Sequence, residues 1–239
     1  MCSSDLLATL ARSDHAGAKQ LLDAPALAPW RSAIRQGFNQ HWLGHWQRWW
    51  SGHGVTRPFR YWSADEARTY LERALELLAD LRTLSPDVCF GFGFVLAHVR
   101  DGQLIPHDDD LDLIIGFDHA STPTLSLGLA QVETHLRALG YQVQGDHFSH
   151  RWVFKPGWNA VDVFVGLREA DGISWFPSAR KNLAADDVFP PIEVDLLGQR
   201  CPVPRNPIRY LDRTYGPRWR EPDADFRHPW DRGQFADIA

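Results

Sequence analysis

Four carboxylates within five residues dominate the middle of this chain of 239 residues. The run consists of Asp108, Asp109, Asp110 and Asp112, and the apolar segment 113–115 follows it directly. Carboxylates crowded in this way repel one another unless a cation neutralises them. Because an apolar segment follows, we expect the run to lead into a buried strand rather than to form a solvated tail.

Two members of the run form a pair. Asp110 and Asp112 are two residues apart on the predicted strand, so we expect their side chains to point to the same face, roughly 6–7 Å apart. Asp162 stands alone in the apolar segment AVDVFV, where an unpaired carboxylate would be costly to bury. A neighbouring strand that brings Asp162 beside the pair removes that cost. Oxygen ligands alone favour a hard cation, so the sequence predicts a site for Mg²⁺ or Mn²⁺.

A glycine-containing turn precedes the acidic run. Gly91 and Gly93 can let the backbone approach a ligand closely, and a short helix from Phe94 would direct its N-terminus at phosphate. Arg100, at the end of that helix, is the strongest candidate for a contact to phosphate, with Arg151 a weaker one. A glycine turn, a helix, an Asp-x-Asp strand and a distant third aspartate together are typical of the nucleotidyltransferase fold.

Composition narrows the class of protein. The net charge of −5 and the pI near 6.1 give no reason to expect a nucleic-acid polymer as partner. Three scattered cysteines do not form a disulfide framework or a metal knot. The sequence shows no signal peptide and no apolar run long enough to cross a bilayer. We therefore expect a cytoplasmic protein without a transmembrane segment, which leaves room for peripheral association with the inner face of the membrane.

Residues 1–62 are predicted to form a helical extension rich in tryptophan and histidine. Five of the eleven tryptophans fall between Trp30 and Trp50. The spacing of Trp42, Trp46 and Trp49 fits one face of a helix, and we expect that face to pack as core.

Residues 63–222 are predicted to form the catalytic domain, and residues 223–239 a tail that is ordered only by docking. A capping box at Ser63 and Glu66 starts a long amphipathic helix. Short apolar strands and a second long helix follow. The predicted fold class is α+β, with a nucleotidyltransferase-like mixed β-sheet flanked by helices.

Several motifs of the chain resemble the LicD/fukutin family of phosphotransferases. Residues 93–100 stand where that family has GTLLGxxR, and residues 105–112 stand where it has I-P-W-D-D-D-I-D. Later parts of the resemblance are Val161–Phe164, Phe189-Pro190, Gly198, Val203-Pro204 and Tyr210–Gly216. The resemblance covers roughly residues 70–222. The chain departs from the family pattern at Phe94, Ala97 and His107 but retains the aspartates.

The resemblance implies transfer of a phospho-alcohol, such as phosphocholine or ribitol phosphate, from a CDP-activated donor to a hydroxyl of a cell-surface glycan or glycolipid. CMP would be released. We assign Asp110 and Asp112 as metal ligands, and Asp162 as a third ligand or as the general base. The expected substrate-binding residues are Gly91, Gly93, Arg100, His107, Asp108, Asp109 and Arg151.

Two other functions fit the same sequence. A nucleotidyltransferase would use the same carboxylates to add a nucleoside monophosphate to a small hydroxylated molecule. A non-catalytic domain would instead use the tryptophan-rich segment to bind a glycan or a protein.

Overall fold

The computed structural model describes residues 3–239 except 13, 23, 52, 53, 171, 224, 225, 227, 229 and 230. The chain divides into two compact units, Met1–Trp62 and Ser63–Ala239. Among the described helices, none is both long and apolar enough to cross a membrane.

The first unit combines short helices with a two-stranded antiparallel sheet. Its helices and strands are α1 (Ser3–Ala11), α2 (His15–Leu22), α3 (Arg31–His41), β1 (Trp49–Ser51) and β2 (Gly54–Thr56). Three 3₁₀ segments lie at Pro25–Trp30, Leu43–Trp46 and Phe59–Tyr61. Its buried core consists of Leu6, Leu10, Ala18, Leu22, Phe38, Leu43, Trp50 and Val55.

The predicted tryptophan face is wrong. Helix α3 ends at His41, before the first of the three tryptophans. Trp42 is 49% exposed, and Trp46 is 52% exposed at the end of a 3₁₀ turn. Gln47 then adopts a left-handed conformation, and the chain continues as strand β1. Alternation along β1 buries Trp50, so this residue supplies the tryptophan of the core.

The second unit contains the remaining helices and strands. Its first half comprises α4 (Ala64–Arg82), β3 (Val88–Phe90), α5 (Phe92–Leu96), β4 (Asp112–Asp118), α6 (Leu125–Ala138), β5 (Gln142–Gln144) and β6 (His150–Phe154). Its second half comprises β7 (Val161–Glu169), β8 (Gly172–Ser174), α7 (Ala185–Val188), β9 (Ile192–Leu196), β10 (Gln199–Val203) and α8 (Pro207–Tyr215). A π-helical turn, Ala97–Asp101, continues α5, and a 3₁₀ turn lies at Arg232–Phe235.

The start of α4 follows from its first residues. The Ser63 hydroxyl accepts a hydrogen bond from the Glu66 amide, and the Glu66 carboxylate accepts one from the Ser63 amide. The predicted capping box is therefore confirmed. One face of the helix is buried, including Tyr70, Leu71 and Leu78.

A six-stranded sheet is the centre of the second unit. The strand order is β3-β4-β7-β6-β5, and β8 also pairs with β7. Strands β4 and β7 run parallel, whereas the other pairs are antiparallel. Strands β9 and β10 form a separate hairpin. The prediction of an α+β fold with a mixed sheet flanked by helices is confirmed.

Alternation along the strands divides the sheet into two faces. Helix α6 packs on one face, where a Cβ added to Gly128 would meet the side chains of Val165 and Phe117. Helices α5 and α8 lie over the opposite face: Phe92 of α5 contacts Phe164 of β7, and Tyr210 of α8 lies beside Ile114 near Gly91. This second face includes Asp112 and Asp162, two residues before Ile114 and Phe164.

Element boundaries differ from the predictions at two places that matter for the site. Helix α5 begins at Phe92 with Gly91 as its N-cap, so Gly93 lies inside the first turn instead of before it. Strand β4 begins at Asp112, so Asp110, which we expected on the strand, lies outside it.

The last residues of the chain dock on the second unit. Phe235 is 1% exposed and its ring lies 5.6 Å from that of Phe176. Ile238 is also buried, and its carbonyl accepts a hydrogen bond from the Leu125 amide at the start of α6. The end of the chain is therefore part of the core of this unit.

Replacing Phe235 by alanine should lower the free energy of unfolding by about 3 kcal/mol, because it leaves a cavity among buried aromatic rings. Denaturant unfolding followed by circular dichroism measures this change. Ile208→Ala, at a position that is 42% exposed on α8, is the matched control and should change stability by less than about 0.5 kcal/mol. Equal effects of the two substitutions would show that the end of the chain does not stabilise the unit.

Candidate metal centre

Three carboxylates converge where β4 and β7 begin. The parallel register pairs Asp112 directly with Asp162. Neighbouring strands are about 4.8 Å apart, so the two side chains stand side by side on one face. Asp110 completes the group, since each of the three residues offers a carboxylate oxygen within 4.8 Å of the other two.

Asp110 reaches this group from outside the strand. We predicted that Asp110 and Asp112 would both lie on β4, but the strand begins only at Asp112. Asp110 also belongs to a second group with Asp108 and Asp109, whose ligand atoms lie within 4.8 Å of one another. In the segment before β4, the Asp109 amide donates a 3.1 Å hydrogen bond to Asp108 Oδ1.

Burial and like charge together raise the pKa of Asp112 well above its usual value of 3.8. Desolvation is the largest cause, followed by the charges of Asp110 and Asp162 and then of Asp108 and Asp109. Crowded, partly buried carboxylates are unfavourable without positive charge. The donor set therefore fits a divalent cation, and oxygen ligands alone fit a hard ion such as Mg²⁺ or Mn²⁺.

One tyrosine hydroxyl connects the two segments that carry the triad. Tyr70 lies on α4 and is 2% exposed. Its hydroxyl accepts a 3.1 Å hydrogen bond from the Leu111 amide and donates one to the Ala160 carbonyl. The Leu111 carbonyl in turn accepts a 3.0 Å hydrogen bond from the Asp162 amide.

The two glycines upstream serve close packing within the protein. A Cβ at Gly91 would lie 2.5 Å from Ile114 Cδ1, and a Cβ at Gly93 would lie 2.5 Å from Asp108 Oδ2. We predicted that both glycines admit a ligand. The structure instead shows that Gly91 admits a strand side chain and that Gly93 admits a carboxylate of the acidic run.

Arg100 is engaged within the protein. Its guanidinium forms two 2.8 Å hydrogen bonds with the carboxylate of Asp101 and a third, of 3.3 Å, with the Trp219 carbonyl. The predicted contact to phosphate has no support in this geometry, because these partners orient the guanidinium.

Arg151 lies on the other face of the sheet from the triad. It pairs in register with Val163, whereas Trp152 pairs with Asp162. Its guanidinium binds Glu133 of α6 and the His147 carbonyl. Alternation along β6 points Arg151 away from the acidic group, so this geometry does not support the predicted contact with substrate phosphate, which stays a prediction.

The positions that depart from the family pattern have different surroundings. Phe94 is 2% exposed and stacks on Phe90 with ring centroids 4.0 Å apart, and Ala97 is also buried. These two residues pack in the core. His107 is partly buried in the turn before the aspartates, and its contact with substrate stays a prediction.

Sequence reasoning missed three contributors near the triad. Tyr70 reads in the sequence as part of the apolar face of its helix, although a buried tyrosine hydroxyl needs a partner. The Tyr210 hydroxyl accepts a 2.8 Å hydrogen bond from the amide of Phe92, which has a left-handed φ of 41°. Trp152, 48% exposed, was not singled out because only strand pairing places it beside Asp162.

A family model matches the segment that contains this site. Residues 88–206, about half of the chain, match a family of nucleotidyltransferase domains. The family is described as LicD/FKTN/FKRP, nucleotidyltransferase domain, and the chain belongs to it. The matched segment contains all three aspartates of the triad. Membership supports an enzyme of the transferase class.

Beyond this family, similarity to known proteins is low in sequence identity. No curated protein matches the chain significantly. Among solved structures, the crystal structure of ANT(2″)-Ia in complex with adenylyl-2″-tobramycin aligns with 57% of this chain and 67% of that chain. The sequence identity is 14% and the TM-score is 0.39.

Asp112→Asn should raise the melting temperature of the metal-free protein. The raised pKa of Asp112 means that the folded protein binds its proton more tightly than the unfolded chain does. The metal-free wild type should therefore lose stability as pH rises from the ordinary value near 3.8 to the raised value. The substitution should flatten this loss, which melting curves in chelator from pH 4 upwards will measure.

The matched control is Asp195→Asn, at an exposed position on β9. It should leave both the melting temperature and its pH dependence close to those of the wild type. If Asp112→Asn instead lowers the melting temperature at every pH, the repulsion within the acidic group has been overstated.

Proposed function

We propose that the chain is a metal-dependent phosphotransferase. It transfers a phospho-alcohol, such as phosphocholine or ribitol phosphate, from a CDP-activated donor to a hydroxyl of a cell-surface glycan or glycolipid and releases CMP. The observation that carries this proposal is the convergence of Asp110, Asp112 and Asp162 at the start of two parallel strands. All three aspartates lie within the segment that matches a family associated with this class of transfer.

The three aspartates divide the chemistry between them. Asp110 and Asp112 would hold Mg²⁺ or Mn²⁺, which when bound supplies positive charge to the phosphate oxygens of the donor. Asp162 would serve as a third ligand or accept the proton of the acceptor hydroxyl. As that proton leaves, the acceptor oxygen bonds to the phosphorus next to the alcohol, and the bond from that phosphorus to CMP breaks.

The ion pairs of the two candidate arginines support a role for the cation. Arg100 is held by Asp101, and Arg151 is held by Glu133 on the other face of the sheet. Phosphoryl transfer depends mainly on positioning and on neutralisation of charge. With these two side chains engaged elsewhere, we assign neutralisation chiefly to the cation held by the aspartates.

A nucleotidyltransferase is the second candidate. The description of the matched family as a nucleotidyltransferase domain favours it, and the same carboxylates would serve. In that reaction the acceptor would attack the α-phosphate of a nucleoside triphosphate, and pyrophosphate would leave. We place either reaction in the cytoplasm, without a nucleic-acid polymer as substrate.

Asp110→Ala and Asp162→Ala should each reduce CMP release from a panel of CDP-alcohols by at least about 100-fold, because each removes a group from the metal centre. Chromatography of the nucleotide products in Mg²⁺ or Mn²⁺ measures this. Asp195→Ala, on the surface hairpin, is the control and should retain full activity.

The products separate the two candidates. A phosphodiester on the acceptor together with free CMP supports the phosphotransferase. A nucleotide on the acceptor together with pyrophosphate establishes the alternative. Turnover that continues undiminished in chelator would refute the assignment of the metal.

A further inference from the structure

We propose that Tyr70 is a positioning residue that sets the separation of the metal-binding carboxylates. This inference rests on the proposed function. Its hydroxyl binds Leu111, which lies between Asp110 and Asp112, and Ala160, two residues before Asp162. One atom of α4 therefore bridges both segments from which the ligands come.

The geometry distinguishes this role from ordinary satisfaction of a buried hydroxyl. A hydrogen bond to either segment alone would satisfy the group. Tyr70 instead accepts from one segment and donates to the other, at the point where the strands of the parallel pair begin. Metal ligands must keep a fixed separation against their own repulsion, and outer-shell hydrogen bonds commonly maintain it.

Tyr70→Phe keeps the ring and removes both bonds. We expect its affinity for Mn²⁺, measured by calorimetry and by electron paramagnetic resonance, to fall about 10-fold, the lower end of the range for outer-shell partners. Tyr141→Phe is the matched control. The Tyr141 hydroxyl donates a 2.7 Å hydrogen bond to Asp80, and neither residue belongs to the acidic group. It should bind Mn²⁺ like the wild type.

Loss of stability alone does not account for the expected result. Melting curves of both variants show whether they are folded at the temperature of the binding experiment. Replacing Tyr70 by 4-aminophenylalanine restores a polar group at the same place on the ring. This variant should recover most of the affinity for Mn²⁺, even if the phenylalanine variant folds poorly. Wild-type affinity in Tyr70→Phe, or failure of the amino analogue to improve on it, would overturn the role of Tyr70.

A separate outcome identifies failure of the proposed function itself. If the wild-type protein does not bind Mn²⁺, the metal assignment falls and the role of Tyr70 falls with it. If the wild type binds Mn²⁺ and Tyr70→Phe binds it equally, only the positioning role is overturned.

A second inference comes from the surface next to Asp162. Trp152 pairs with Asp162 across the antiparallel β6–β7 ladder, so the two side chains are neighbours on one face. The indole is 48% exposed. The indole lies beside Gly145, where an added Cβ would be 3.6 Å from its Cε3, and the His150 ring meets it edge-on with ring centroids 6.3 Å apart.

We infer that the open face of Trp152 stacks on the nucleobase of the donor. This inference also rests on the proposed function. A cation at the triad would hold the donor phosphates beside Asp162, and the attached nucleoside would lie within reach of the adjacent strand, where an aromatic ring lies exposed. Burial and the positive charges of His147 and Arg151 lower the pKa of His150 to about 4, so its imidazole is uncharged at neutral pH. A planar, uncharged base suits this surface, and stacking tolerates any base.

Trp152→Ala should weaken the binding of CMP, measured by calorimetry in Mg²⁺, by about 10-fold, within the range for loss of one stacked base. Trp152→Phe should retain most of the affinity, because it keeps an aromatic face. Trp46→Ala, at an equally exposed position in the other unit, should bind CMP like the wild type. Unchanged CMP affinity in Trp152→Ala would overturn this inference.

Discussion

The site depends on the parallel pairing of β4 with β7. This pairing places Asp112 opposite Asp162, although the two residues are remote in sequence. A slip of one residue would put Val161 or Val163 opposite Asp112 and turn the second carboxylate towards α6. The register is held from both sides, since apolar side chains fill the α6 face and Leu111 binds both Asp162 and Tyr70 where the strands begin.

The fold uses charge differently on the two sides of the sheet. On the α6 side, Arg151 has its own carboxylate partner, Glu133. On the opposite side, carboxylates are collected beside one another, and the pKa of Asp112 rises as a result. Such a concentration of like charge destabilises a folded protein and is retained where it serves function. This contrast supports the proposal that the acidic group binds a cation.

The sequence predicted the three aspartates and the neighbouring strand that brings Asp162 beside Asp112, but not the position of Asp110 outside β4. The Asp-x-Asp run and the lone Asp162 were visible because carboxylates beside apolar segments are costly, and the capping box at Ser63 follows local rules. The partners of Arg100 and Arg151 could not be predicted from the neighbouring sequence. The guanidinium of Arg100 forms an ion pair with the adjacent Asp101. Only the alternation of side chains along the strand shows that Arg151 faces α6. The prediction of a tryptophan face was wrong because α3 ends early and a 3₁₀ turn follows it. Tyr70 and Trp152 became visible only through tertiary contacts.

Phe94 shows why a departure from a family pattern need not disturb the metal centre. The family has a small hydroxyl residue there, whereas Phe94 points into the core and stacks on Phe90 of β3. Gly93, the residue before it, faces Asp108 and keeps the close approach that a side chain would block. Helix α5 thus turns one residue to the acidic run and the next to the core. Position 94 therefore offers no hydroxyl, and the three aspartates of the triad come from other segments of the chain.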